Sequence, residues 1–452
     1  MIVDTDRIEA ALKEAKEPSE KALSAILKEA EGLKGLSLED AAWLLKIENP
    51  AKLKTLYDRA DEIKQRIFGR RIVLFAPLYL SNYCKNACLY CGFRSANKDL
   101  PRKALDSGEL INEARALEKM GFKRVLLVTG EDPLRGLDYI INSVKTIYGQ
   151  TGIRIVHVNA PPMGVEGLKE LKRSGAAVYQ VFQETYHRPT YALVHPAGPK
   201  KDYDYRISVM DRALEAGFKD VGIGSLLGLY DSRFDCLSTI AHSRHLFENF
   251  GTHAHTISVP RLRPAHGSAI KDGGLAVSDE ELKKIVSVYR LSVPSAGVVV
   301  STREPEPLRN FLVHAGASQM SASSRTGPGG YAGATPALEQ FSTSDRRSLV
   351  EVMASVIAEG GLPSLCTTCY RIGRVGENFT KITSSGGMEK FCQANAVLTL
   401  KEYTLDNPPN GRADIFTRAI EKALAEIKDP AMKKEVDRRM EELERGKRDL
   451  YL

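Results

Sequence analysis

Apolar positions change their period along this chain. Before residue 72 they fall at helical spacing, with Ile8, Ala11, Leu12 and Ala15 at i, i+3, i+4 and i+7. Ser37-Leu38-Glu39-Asp40 carries a helix-start signature, in which the Ser37 side chain accepts from backbone N–H groups of a helix running through Trp43 and Leu45. From residue 72 short β-branched runs recur, at 72–78, 124–130, 154–159, 178–184, 220–227, 256–262, 297–303 and 318–323. Amphipathic stretches such as 110–120, 165–174, 207–216 and 279–291 separate them. Val125-Leu126-Leu127-Val128 is apolar on both faces, as suits a strand covered by helices. The alternation spans roughly 250 residues and predicts parallel pairing in an α/β fold, a (β/α)8 barrel of the TIM type. An open doubly wound sheet is the competing arrangement.

The same pattern divides the chain into an N-terminal helical region (1–71), the barrel (72–335) and a mainly helical C-terminal region (336–452). Gly327-Pro328-Gly329-Gly330 opens the loop that leaves the barrel. The charged tail, 414–448, reads as helix with Phe416, Ile420, Ala423, Leu424 and Ile427 on one face. The basic run at 64–71 reads as a solvated helix end.

Composition then removes whole classes. A hydrophobic fraction of 43% supports a folded core. The excess of 64 Lys+Arg over 57 Asp+Glu is +7, small for 452 residues and spread along them, so it calls for neither nucleic acid nor a membrane surface. The start, MIVDTDRIEAALKEAKE, lacks a basic segment followed by an apolar run, and no stretch approaches the ~20 apolar residues of a membrane span. The expectation is a cytoplasmic protein. Seven cysteines, an odd count, argue against a secreted disulfide framework.

The cysteines fall as three, three and one. Cys84, Cys88 and Cys91 form C-x3-C-x2-C just after the first strand, where barrel enzymes place their chemistry. Cys366, Cys369 and Cys392 form C-x2-C-x22-C, and Cys236, alone in a barrel helix, reads as a small buried apolar residue. Each triad is one ligand short of a closed structural zinc site. A 4Fe–4S cluster on three cysteines leaves one iron open to an outside ligand. Zinc completed by an unseen fourth ligand is the competing reading for either triad.

With Tyr90 before its last cysteine, the first triad resembles the motif of the radical S-adenosylmethionine (SAM) superfamily. The resemblance implies a 4Fe–4S cluster whose open iron holds the amino and carboxylate groups of SAM, and cleavage of SAM to methionine and a 5′-deoxyadenosyl radical. Thr129-Gly130-Glu131 resembles the Gly-Gly-Glu motif that receives the SAM amino group; a generic strand-end turn is the plainer reading. Glu184, at the end of strand four, and Arg206 are expected to hold the SAM carboxylate or ribose, against a surface ion pair. Ser323 and Arg325, ending strand eight, are expected to bind the substrate carboxylate, against a barrel-closing ion pair. Gln183 and Tyr186 are expected to line the substrate pocket.

The second triad opens the run CYRIGRVG, and the chain also contains QVFQETYHRPTY, HPAGPKKDYDYR, HTISVPRLRP, SASSRTGPGGYAG and NAVLTLKEYTLD. From about residue 70 to 407 it resembles the family of the FeFe-hydrogenase maturase HydG, which are tyrosine lyases. Several barrel segments are shared with two sister families, 2-iminoacetate synthase and the tryptophan lyase of the NosL type; the full second triad favours the maturases. Where that family usually has Thr-Gly-Asp-Arg-Phe-Met, this chain reads Val375-Gly376-Glu377-Asn378-Phe379-Thr380. The resemblance implies cleavage of the Cα–Cβ bond of L-tyrosine to p-cresol and dehydroglycine. CO and cyanide follow, as an Fe(CO)2(CN) precursor for the hydrogenase H-cluster. It also implies a second 4Fe–4S cluster with an extra labile iron held by His255, with His253 and His266 as nearby rivals. An electron donor such as ferredoxin or flavodoxin and other hydrogenase maturases are the implied partners. The sister reading is a tyrosine or tryptophan lyase that makes neither CO nor cyanide.

Overall fold

One strand, β1 (Arg71–Ser81), pairs in parallel with both β2 (Arg124–Thr129) and β8 (Gln319–Ser321), and this closes a ring. Between them run β3 (Ile155–Asn159), β4 (Val178–Gln180), β5 (Asp220–Gly224), β6 (Thr256–Ser258) and β7 (Gly297–Val300), each parallel to its neighbours. The computed structural model describes residues 2–270, 275–333, 339–409 and 411–452. The predicted barrel is present, and the open sheet is not.

The predicted strands run past the observed ones at their C-terminal ends. β4 stops at Gln180, β6 at Ser258 and β7 at Val300. Beyond these points the chain turns out around the barrel mouth, leaving only single bridges such as Glu184 to Ser225.

A ninth strand, β9 (Leu362–Ser364), pairs with the start of β1 through Arg71–Leu362, Ile72–Pro363 and Val73–Ser364. The sequence reading has no strand there, because Pro363 lacks a backbone donor and demotes the run. An edge position tolerates it. This strand ties the C-terminal region to the foot of the barrel and brings Cys366 close to Arg71.

The N-terminal helices are Thr5–Glu14, Glu20–Ala30, Leu38–Leu45 and Pro50–Phe68. Ser37 caps the third as predicted, accepting from the Asp40 N–H at 2.9 Å. The expectation of a solvated basic end at 64–71 holds for Arg66, which is exposed, and fails for Lys64. Lys64 is 2% exposed, pairs with Asp61 at 2.5 Å and donates to the Val313 carbonyl. Burial lowers its pKa. The helix end packs under the barrel, so the Lys64 face meets protein and the Arg66 face meets solvent. In the tail helix Ala413–Ala425, Phe416, Ile420 and Ala423 are buried on the predicted face. Among the described residues no helix is long and apolar enough to cross a membrane.

Helix Ser232–Phe250 buries Cys236 fully, as expected of an apolar filler, and its neighbour Asp235 as well. One Asp235 oxygen accepts from the Tyr186 N–H at 2.8 Å and the Thr185 hydroxyl at 3.0 Å; the other has no partner among the described residues. Desolvation nonetheless pushes this carboxyl up to about 7. An unfolded Asp releases its proton near ~4, so the native state binds more protons between there and neutrality. Stability from this group therefore falls as pH rises through that window and is level above it. Asp235→Asn keeps the shape without the charge. Urea melts of both proteins at about pH 5 and pH 8 should show wild type losing more than the variant, by roughly 2.5 kcal/mol at most.

Candidate active site and second cysteine cavity

Two cavities occupy opposite ends of the barrel, and each is lined by one cysteine triad. The upper one lies at the C-terminal ends of the strands and encloses about 1510 Å³, its open mouth included. Cys84, Cys88 and Cys91 reach it from the loop after β1. Backbone hydrogen bonds from Lys85 to Glu131, Ala87 to Ala197 and Leu89 to Val194, each 3.0 Å, pin that loop on two sides. Among the described residues no three Cys, His, Asp or Glu side chains converge on a point where one metal ion would sit. The donor set itself, three thiols in one cavity lining, is one ligand short of a closed zinc site and is the number that leaves one corner of a 4Fe–4S cluster open. Burial pushes the Cys91 thiol up to about 12, with Cys88 and Cys84 adding to the shift, and burial also raises Cys88. A cationic cluster core would reverse that cost.

Two amide donors that the sequence reading missed point at this sulfur set. Gln340 Nε2 lies 3.5 Å from Cys91 Sγ and Asn86 Nδ2 lies 3.6 Å from Cys84 Sγ. Such N–H···S contacts tune cluster potentials. Tyr90 is buried, its hydroxyl 2.9 Å from His195 Nε2, and the Lys200 ammonium sits 5.5 Å over its ring. Thr129, Gly130 and Glu131 line the same cavity. Gly130 is required by close approach: a Cβ there would meet the Tyr83 carbonyl at 2.3 Å. Asn86 also donates to Glu131.

Glu184 and Arg206 come together as predicted, at 3.5 Å, but inside the cavity wall and not as a surface pair. Lys200, unpredicted, holds the same Glu184 oxygen at 2.5 Å. Burial alone would raise the Glu184 carboxyl; the Lys200 and Arg206 cations outweigh it and hold the carboxyl below its usual range. Arg206 is steadied by donating to the Phe182 carbonyl at 2.8 Å.

Ser323 and Arg325 do not enter this cavity. They line a separate outer groove with Tyr331 and Arg346, where Arg325 is exposed. β8 ends at Ser321, and Ser323 adopts φ +51°, which reverses the inward side of the chain. Ser321, Ser324 and Thr326 face the cavity instead. Besides Arg206, the guanidinium that faces it is Arg303, just beyond β7, 3.3 Å from the Phe341 ring centre. Desolvation lowers Arg303 to about 10, and no carboxylate pairs with it among the described residues. Gln183 and Tyr186 also lie outside the cavity; Tyr186 is fully buried, with its hydroxyl 2.8 Å from His242 Nδ1. Phe182 and Glu184 face inward in their place.

The lower cavity, about 450 Å³, lies at the N-terminal ends of the strands. Cys366 follows β9, Cys369 sits on the one-turn helix Thr368–Arg371, and Cys392 is on helix Glu389–Asp406. Arg71, Arg124, His255 and Tyr370 share the lining. Burial raises the Cys369 and Cys392 thiols. His255 immediately precedes β6, with Nε2 2.8 Å from the Tyr370 hydroxyl and Nδ1 3.4 Å from Asp220. Its rivals are elsewhere: His253 stacks on Phe247 at 4.5 Å, and His266 lies in an outer groove beside Asp99. Of the divergent stretch 375–380, only Phe379 lines the cavity. Glu377 points away to Lys381 at 2.6 Å.

The comparisons with known proteins agree with this architecture. The model of the radical SAM superfamily matches residues 78–241, and that of the biotin and thiamin synthesis associated domain matches 258–362. The 2-iminoacetate synthase of Salmonella typhimurium is 35% identical over 330 residues, 73% of this chain and 86% of that protein. A crystal structure of HydG, a maturase of the [FeFe]-hydrogenase, superposes with TM-score 0.96 at 44% identity, covering 100% of both chains. HydG from Carboxydothermus hydrogenoformans superposes with TM-score 0.84 at 36% identity, covering 96% of this chain and 97% of that one. The chain belongs to the radical SAM superfamily, in the family of the FeFe-hydrogenase maturase HydG.

Proposed function

We propose that this chain is a radical SAM lyase that cleaves the Cα–Cβ bond of L-tyrosine to p-cresol and dehydroglycine, and then forms CO and cyanide for an Fe(CO)2(CN) precursor of the hydrogenase H-cluster. The observation that carries the second half is the lower cavity: three thiols and an imidazole at the far end of the barrel that holds the first triad. When bound, the upper cluster and SAM supply an electron and a 5′-deoxyadenosyl radical, and the lower cluster with its labile iron supplies a metal centre for the carbon fragments.

The residues divide this work. Cys84, Cys88 and Cys91 would hold the upper cluster, with Asn86 and Gln340 donating to its sulfurs. Glu131 lies where it would accept from the SAM amino group, and Glu184, Lys200 and Arg206 form the charged wall that would take its carboxylate and ribose. Arg303, which pairs with no carboxylate among the described residues, is the cation for the tyrosine carboxylate, a fork suited to two oxygens. Fixing both molecules in a walled space favours one hydrogen transfer over side reactions. Cys366, Cys369, Cys392 and His255 would hold the lower metal centre, since imidazole and thiolate both suit iron. A ferredoxin or flavodoxin as electron donor, other hydrogenase maturases as partners and a cytoplasmic setting complete the reading.

A sister activity, tyrosine cleavage without CO or cyanide, is supported by the 35% identity to 2-iminoacetate synthase and by the divergent 375–380 stretch. Anaerobic turnover of the reconstituted protein with L-tyrosine, SAM and reductant separates the two. The expected products are p-cresol, CO and cyanide; p-cresol with glyoxylate and no CO would select the sister activity.

A further inference from the structure

We infer that Asp220 is the positioning residue of the lower site: its carboxylate holds His255 with Nδ1 protonated and Nε2 turned to the three thiols. This rests on the reading above, that His255 binds iron there.

Asp220 is the first residue of β5 and 2% exposed; His255 is 7% exposed. The nearest Asp220 oxygen is 3.4 Å from His255 Nδ1. Among the described residues neither His255 Nδ1 nor the other Asp220 oxygen has a hydrogen-bond partner. Partnerless buried polar atoms on two side chains only 3.4 Å apart are costly unless some state of the site joins the pair. A metal on Nε2 is such a state. It makes the ring a stronger Nδ1–H donor, and a carboxylate behind a ligating histidine fixes tautomer and ring orientation. The backbone holds the pair in place, since His255 N–H donates to the Val221 carbonyl at 2.8 Å across β5.

Tyr370 supplies the other half. It adjoins Cys369, and its hydroxyl lies 2.8 Å from the Nε2 that a metal would use. With Nδ1 protonated, Nε2 accepts from Tyr370, so the phenol keeps the lone pair aimed into the cavity until metal replaces it. Asp220 has a second, structural duty: the oxygen nearest His255 also accepts from the Gly376 N–H at 2.9 Å. Gly376 has φ +58° and approaches Lys219 closely enough that a Cβ would lie 3.0 Å from its carbonyl. One carboxylate thus links β5, His255 and the segment after the second triad.

The two duties can be separated. Asp220→Asn keeps an oxygen for Gly376 and loses the charge. Cluster-reconstituted protein would be titrated with ferrous iron and followed by EPR of the lower cluster and by iron count. The variant should keep its lower-cluster iron but bind the additional iron about 10- to 100-fold more weakly. Asp220→Glu should recover part of that loss, and Tyr370→Phe should bind the additional iron no more weakly than wild type. Unchanged iron affinity in Asp220→Asn overturns the positioning role. His255→Ala in parallel tells which idea has failed. Loss there alone removes the role of Asp220, and no loss in either variant removes the iron reading with it. Should Asp220→Asn not fold, wild-type iron affinity in both Asp220→Glu and His255→Ala overturns the proposal equally.

Discussion

Cys84→Ala is expected to lose about four irons and to form no measurable 5′-deoxyadenosine with any amino acid substrate. The triad offers no spare ligand: Cys84, Cys88 and Cys91 are the cysteines lining the upper cavity, and the seventh, Cys236, is fully buried within helix Ser232–Phe250. Two thiolates cannot hold the cube with one iron open for SAM. Metal and sulfide analysis, with chromatography of the nucleoside product, reads both effects at once. Cys236→Ala is the control and should keep all its iron. Retained SAM cleavage in Cys84→Ala would mean that the cluster sits elsewhere.

Arg303→Met should lower kcat/KM for tyrosine about 10- to 100-fold, the range for losing a hydrogen-bonded charge partner. SAM binding should change little, because Lys200 and Arg206 remain on the other wall of the cavity. The variant should also fold well, since among the described residues Arg303 pairs with no carboxylate that its removal would orphan. Arg325→Met provides the contrast. Its side chain is exposed in the outer groove, so its effect should stay within about twofold. Reversed effects would restore the sequence-based assignment of the substrate carboxylate to Arg325.

These two arginines show what the sequence could and could not reveal. Alternation of β-branched and amphipathic runs made the barrel legible, because strands buried on both faces leave few polar positions. Spacing alone exposed both cysteine triads. Inside-outside parity at strand ends was not legible. Continuing strand eight to residue 323 put Ser323 and Arg325 inward, whereas the positive φ at Ser323 shifts that side to Ser324. Gln183 was placed in the pocket beside Glu184, whereas Phe182 and Glu184 are the residues that line it. Lys200, Asn86 and Gln340 left no local signal, since each acts on a residue remote in sequence or across a turn. Lys64 looked solvated because a basic run gives no sign of the barrel foot that covers it. β9 was hidden by its proline. His255 stood out by resemblance, and its placement among the lower thiols is what singles it out from His253 and His266.

The central claim is that one barrel joins two chemistries, tyrosine cleavage above and formation of the diatomic ligands below. Its most direct test is the product balance of Cys366→Ala under anaerobic turnover with L-tyrosine, SAM and reductant. The cavity that Cys366 lines is at the foot of the barrel, remote from the SAM wall. The expected result is p-cresol at a rate near wild type, with CO and cyanide strongly reduced. CO and cyanide at wild-type yield from a variant that has lost its lower iron would contradict the account.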